Sequence, residues 1–285
     1  MPTPTRTGYS FASWQTSDGT DVTSITQNTT IGDHTLTAKW SANNYTLTLY
    51  DNKNLLNGSA LTKSSDISVW TRTSSYSTNT IVTEDGITCT KATINTPAGE
   101  GDLIGQDITG KLKANTEYIT GMKLKLSSPN GELLLHIPAD KTIDGVSEWG
   151  DVMNDGATGL MGNYNKGWVD LCFHKTTKNF TSIAESYFMI YARNGFTGPL
   201  YVRDFTFAEA SNTTRAIKYS SNTGSVSPLT YSGFTFNGYY TQPSGGVKIY
   251  NADGSLVKGV AGYTDSSGAW IRAEDTKLYG QWTQN

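Results

Sequence analysis

Apolar and polar residues alternate with a period of two along most of this chain, and no stretch holds helical apolar spacing over several turns. In Tyr118–Leu126 the apolar Met122, Leu124 and Leu126 alternate with Lys123 and Lys125, which puts the lysines outward. Leu133, Leu135 and Ile137 alternate with Leu134 and His136. Val169, Leu171 and Phe173 alternate with Trp168, Asp170, Cys172 and His174. Phe188, Ile190 and Ala192 alternate with Tyr187, Met189, Tyr191 and Arg193. A last strand runs from Tyr201 to Phe207 and carries Asp204. Short strands with turn residues between them predict an all-β chain whose centre is a β-sandwich or jelly roll.

The two ends repeat one pattern. Thr7-Gly8-Tyr9-Ser10-Phe11-Ala12-Ser13-Trp14 closes at Leu36-Thr37-Ala38-Lys39-Trp40. Ser232-Gly233-Phe234-Thr235-Phe236-Asn237-Gly238-Tyr239 closes at Leu278-Tyr279-Gly280-Gln281-Trp282. An internal repeat marks a modular protein. A module of about 40 residues has little core, so Tyr9, Phe11, Trp14 and Trp40 are expected to carry its burial. The second copy is longer, with turn signals at Asn251–Gly254 and Asp265–Gly268. An opening strand before the second motif at Ala216–Tyr219 has a counterpart at Tyr45–Tyr50, yet no repeat follows that one directly. The strand therefore belongs either to the sandwich or to a repeat interrupted by it. The expected boundaries are 1–43, 44–211 and 212–285.

Composition narrows the function classes. Charged residues make up 16% of the 285 positions, below the roughly 25% of an average soluble protein, and Gly, Ser, Thr and Asn take their place. A net charge of -3 gives no basic footprint for nucleic acid. No apolar run is long enough to span a bilayer. Met1 opens almost directly into the repeat motif, so no signal peptide is read and Met1 is expected to be an artificial start. Cys89 and Cys172 read as two thiols in preference to a bridge.

The paired end motifs resemble the Listeria–Bacteroides repeat, also called the internalin B-type repeat. That resemblance implies β-grasp-like spacer modules of extracellular or cell-surface bacterial proteins, with no catalytic residues. The middle is similar to carbohydrate-binding modules of the family 4, 9 and 22 group. The likeness rests on Asn54-Leu55-Leu56-Asn57-Gly58 with Trp70 downstream, on the Tyr118 strand, on Gly167–Leu171 and on Gly198–Phe205. Phage tail and fibre proteins use a similar sandwich.

A sugar ring offers an apolar face for aromatic stacking and a hydroxyl rim for amides, carboxylates and guanidinium groups. Trp168, Asp170 and His174 share one outward face, Tyr187, Tyr191 and Arg193 share another, and His136 fits either of the two. The long segment from Pro138 to Gly167 is expected to be a loop that carries Trp149 and Tyr164. These residues make a polysaccharide or cell-surface glycan the expected partner, bound without catalysis by a monomeric part of a longer chain. The alternative is a stalk, adhesin or phage-fibre segment that binds protein or nothing. No nucleophile motif or phosphate loop stands in the sequence. Nothing selects a catalytic pair among Glu132, Asp140, Asp144, Glu148 and Asp151. Asp151–Gly156 faintly resembles a calcium loop, with Met153 where an oxygen ligand is needed, and sandwich modules leave room for a structural calcium.

Overall fold

The computed structural model describes residues 1–22, 35–72, 76–95 and 100–285. Nearly all of its regular structure is β. The first module is a sheet of β1 (Tyr9–Gln15), β2 (Asp21–Val22) and β3 (Thr37–Ala42), in the order β2-β1-β3. Phe11 packs against Trp14 at 5.5 Å and Trp40 at 5.8 Å. The Arg6 guanidinium lies 4.0 Å over the Tyr9 ring. These rings, expected to be a buried core, stay only half-buried.

After β4 (Asn44–Tyr50) and a short α1 (Ser64–Ile67) comes the sandwich. Its strands are β5 (Ser77–Glu84), β6 (Ile87–Ile94), β7 (Gly101–Asp107), β8 (Glu117–Leu126), β9 (Glu132–His136), β10 (Pro138–Ile143), β11 (Val146–Asp151), β12 (Thr158–Gly159), β13 (Val169–Thr176), β14 (Ser182–Arg193) and β15 (Leu200–Glu209). One sheet runs β13-β8-β15-β6-β5. The other runs β11-β10-β14-β9-β12, with β7 on the opposite edge of β14. β9 and β10 follow one another along a single edge of β14, in unbroken register from Met189↔His136 to Ala139↔Ser186.

The alternation places the core as the sequence predicts. Met122, Leu124, Leu133, Leu135, Phe188 and Ile190 all point between the sheets. Trp70 is fully buried there, 5.0 Å from Phe205, and its indole donates to the Gly58 carbonyl at 3.1 Å. Pro138–Gly167 differs from expectation. It holds the β10–β11 hairpin, β12 and a turn of 3-10 helix at Met161–Asn163. Its Asp, Asn and Gly residues read as loop chemistry. Asp144 and Gly145 instead take positive φ in the tight turn between two paired strands.

The C-terminal module has β16 (Asn212–Lys218), β17 (Phe234–Tyr240), β18 (Lys248–Tyr250) and β19 (Thr276–Gln284). Its sheet order is β16-β4-β19-β17-β18. β4, which the expected boundaries group with the sandwich, is thus a central strand here, antiparallel to β16 and parallel to β19. The sandwich is an insertion between β4 and β16. Asp51 N–H donates to the Ser211 carbonyl at 2.8 Å and closes the neck of that insertion.

The two repeats match in the pairing of their opening and closing strands. Phe11 pairs with Trp40 and Phe236 with Trp282, and a bulge follows each pair. The Asn43 amide donates to the Gly8 carbonyl at 2.9 Å, and Asn285 to Gly233 at 2.9 Å.

Candidate functional site

β14 positions the outer face of the second sheet. Its residues pointing away from the core are Tyr187, Met189, Tyr191 and Arg193, because Phe188, Ile190 and Ala192 take the inner side. Cross-strand register then selects their neighbours. Tyr187 lies opposite Asp107 of β7, and Met189 opposite His136 of β9. The β10–β11 hairpin extends the face. Trp149 pairs with Asp140, Asp140 pairs with Glu185, and Glu185 lies two residues from Tyr187 on the same side.

The result is a row of rings across the strands. Trp149 is 51% exposed, and its ring centroid lies 6.1 Å from that of Tyr187. His136 lies 6.1 Å from Tyr191 in an edge contact. Tyr187 and Tyr191 are four residues apart on one strand, about 13 Å.

Polar groups lock the rings. The Arg72 guanidinium lies 3.9 Å over Tyr187 and bonds Asp102 at 2.9 Å. Tyr187 Oη donates to Glu185 at 2.8 Å and Tyr191 Oη to Glu100 at 3.0 Å. The Glu185 carboxylate raises the Tyr187 phenol above its ordinary range, and burial, followed by Glu100, does so for Tyr191. Arg193 holds Glu132 through two bonds of 2.8 and 3.0 Å, which keeps the Glu132 carboxyl below its usual range. His136 Nε2 lies 3.5 Å from Asp151 Oδ2. Burial lowers the His136 pKa and raises that of Asp151, so both groups are pushed toward their neutral forms.

Of the residues singled out in the sequence, this face gathers Trp149, Tyr187, Tyr191, His136 and Arg193. Trp168 and Tyr164 do not join the row. Tyr164 ends the 3-10 turn that follows edge strand β12, and is 40% exposed. Trp168 precedes β13 in the other sheet, half-buried, its indole N–H without a partner among the described residues. The outer face it was expected to share with Asp170 and His174 is covered instead. Asp170 lies against Gly245 and pairs with Lys123 at 3.3 Å, while His174 bonds Tyr279 at 3.0 Å and Glu117 at 2.8 Å. Arg72 and Glu100 were not anticipated. They lie outside the alternating runs, so no periodic signal marks them.

The Asp151–Gly156 turn is stabilised by an ammonium. Lys175 Nζ bonds Asp155 at 3.1 Å and the Gly156 carbonyl, while Asp151 accepts the Met153 amide at 2.9 Å. That donor set does not fit calcium, since the Lys175 ammonium already takes Asp155 and the Gly156 carbonyl and Met153 supplies no oxygen side chain. Cys89 and Cys172 are free thiols, on β6 and β13 with two strands between them.

Residues 1–39 and 203–260 match the family model of the Listeria-Bacteroides repeat domain. No curated protein matches the sequence. Among solved structures, an arabinose-bound α-L-arabinofuranosidase is similar over 58% of this chain, at 10% identity and a TM-score of 0.41. This chain spans 32% of that enzyme's length. A family 16 carbohydrate-binding module aligns with 46% of this chain and 85% of its own, at 18% identity and a TM-score of 0.34. A xylan-binding family 22 module from Paenibacillus barcinonensis aligns with 47% and 82%, at 11% identity and a TM-score of 0.34. The chain is a β-sandwich inserted between β4 and β16 of the C-terminal module, and the matches to the Listeria-Bacteroides repeat model fall on the first module and on the segment from β15 into the C-terminal module.

Proposed function

We propose that the outer face of the β7–β14–β9/β10–β11 sheet binds a glycan chain and does not cleave it. The observation that carries this reading is the solvent-facing row of Trp149, Tyr187 and Tyr191, fixed by Arg72, Glu185 and Glu100. Rings held in this way stack on the apolar faces of sugars with little ordering cost, and the flanking carboxylates and guanidinium groups bond to hydroxyls. Binding without cleavage is supported by the engagement of the acidic candidates. Glu132 is bound by Arg193 and Glu148 by Lys141, so two of the five candidate carboxyls are held in ion pairs within the sheet. The repeats then act as spacers of a surface or secreted protein, a role supported by their match to the repeat family.

Titration calorimetry against neutral oligosaccharides tests this. Trp149→Ala and Tyr187→Ala should each weaken binding by about 1–3 kcal/mol, as loss of one stacked ring does. A folded protein that binds no glycan, or whose binding is indifferent to both substitutions, would overturn the assignment. Absence of reducing-end release from a bound polymer checks the non-catalytic part.

A further inference from the structure

The charge around the aromatic row is lopsided. Arg72 neutralises Asp102 and Arg193 neutralises Glu132. Glu100, Asp107, Asp140 and Glu185 have no ion-pair partner within 4 Å among the described residues. Lys141, the nearest ammonium on these strands, turns away: it is buried and reaches Glu148 at 3.0 Å and the Gly150 carbonyl. The side chain of Lys111, which faces Asp107, is drawn to the Leu55 carbonyl. Burial pushes His136 toward its neutral ring.

The unpaired carboxylates are tied to the rings. Glu185 accepts from Tyr187 Oη, Glu100 from Tyr191 Oη, and Asp140 lies cross-strand from Trp149, accepting Ser147 Oγ at 2.7 Å. Asp107 lies cross-strand from Tyr187. Each ring that would stack on a sugar therefore has a carboxylate beside it with acceptor capacity to spare. A sugar seated on such a ring brings its ring substituents within reach of that carboxylate.

We propose that this face selects glycans with free amino groups, such as glucosamine polymers, over neutral ones, and excludes glycans with uronate or sulfate groups. The proposal rests on the glycan-binding reading of the same face and names the class of glycan it takes. An ammonium about 4 Å from a solvated carboxylate gains on the order of 1 kcal/mol, and an anionic group loses as much. The rings supply sequence-tolerant stacking, and the carboxylates supply the discrimination.

The test compares three ligands on the intact chain by calorimetry at low salt: deacetylated chito-oligosaccharide, its N-acetylated counterpart of equal length, and oligogalacturonate. The deacetylated oligomer should bind roughly five- to tenfold tighter than the acetylated one, a factor expected from one such charge contact. Its advantage should collapse above about 0.5 M salt as screening sets in, and oligogalacturonate should bind weakest. The quadruple variant Glu100→Gln/Asp107→Asn/Asp140→Asn/Glu185→Gln keeps an amide oxygen as acceptor at each position and should erase the preference for the deacetylated oligomer. Equal affinity for acetylated and deacetylated oligomers, a preference that survives in the quadruple variant, or tight binding of oligogalacturonate would each overturn the charge selection and leave the aromatic platform standing. No binding of any of the three would fell both readings together.

Discussion

Single residues set the geometry of the repeats most sharply at their opening turns. Gly8 and Gly233 occupy equivalent places, with φ of +77° and +80°, where any side chain costs about 1–2 kcal/mol. Their surroundings differ. A Cβ on Gly8 would come within 2.4 Å of the Tyr219 ring, whereas Gly233 opens onto space. Gly8→Ala should therefore lower stability by about 1–3 kcal/mol more than Gly233→Ala, the added cost of overpacking; paired thermal melts measure the difference. Tyr239 gives a pH test. Burial raises its phenol from about 10 to about 12. The folded protein then keeps a proton that the unfolded chain loses above pH 10, so the stability is fully present below pH 10 and is lost as pH rises to 12, by up to about 3 kcal/mol. Tyr239→Phe should flatten that stretch of the urea-unfolding profile against pH. At this scale the sequence was informative where alternation ran. It identified Tyr187, Tyr191, Arg193 and His136 as outward residues of strands that do form. It could not separate an outward face that meets solvent from one that meets another module, which is why Trp168, Asp170 and His174 looked equivalent to them. Both kinds of face carry aromatics with polar neighbours, since an interface and a sugar platform are built from the same chemistry.

At the scale of elements, β4 shows how far a strand's partners lie from it in sequence. Thr48 is opposite Thr214 on one side and Lys277 on the other. A proline there removes an N–H from a strand paired along both edges. Thr48→Pro should destabilise the C-terminal module by on the order of 3 kcal/mol, and hydrogen exchange should report faster opening in Thr276–Gln284, more than two hundred residues downstream. A variant that loosens only the sandwich would refute β4's place in that sheet. The opening-strand motif at Tyr45 was legible in the sequence, but its partner was not. Period-two patterning fixes which residues of a strand face inward and says nothing about which strand lies beside it. The β10–β11 hairpin was missed for the opposite reason. Its outer residues Val146–Trp149 are all exposed, so the run has no apolar side by which to recognise a strand.

The whole molecule is held together by the way the sandwich enters the repeat. Both connections leave through one neck, and around it Tyr50, Ile119 and Tyr279 form a buried cluster with Cys172 at its margin. Tyr279 stacks on Tyr50 at 5.2 Å and its hydroxyl reaches His174, while Asn52 donates to the Pro243 and Gly280 carbonyls at 3.2 and 2.9 Å. The ring cluster supplies the apolar part of this junction, and the bonds beside it run from Asn52 and Thr206. The intact pair should unfold as one transition in a calorimetric scan. Tyr279→Ala removes the stacked ring from the cluster and leaves the hydrogen bonds of Asn52 and Thr206 to the Pro243 carbonyl, with the packing of Asp170 against Gly245, to join the modules. The cost should be about 3 kcal/mol, as for other buried aromatics, and the scan should split into separate transitions for sandwich and repeat. A variant that is destabilised yet still melts in one step would mean that the neck itself, and not the ring cluster, transmits the coupling. Glycan affinity should be unchanged in the same variant, because the Trp149–Tyr191 face lies on the sheet turned away from this junction. A loss of binding would show that the two faces of the sandwich communicate through its core.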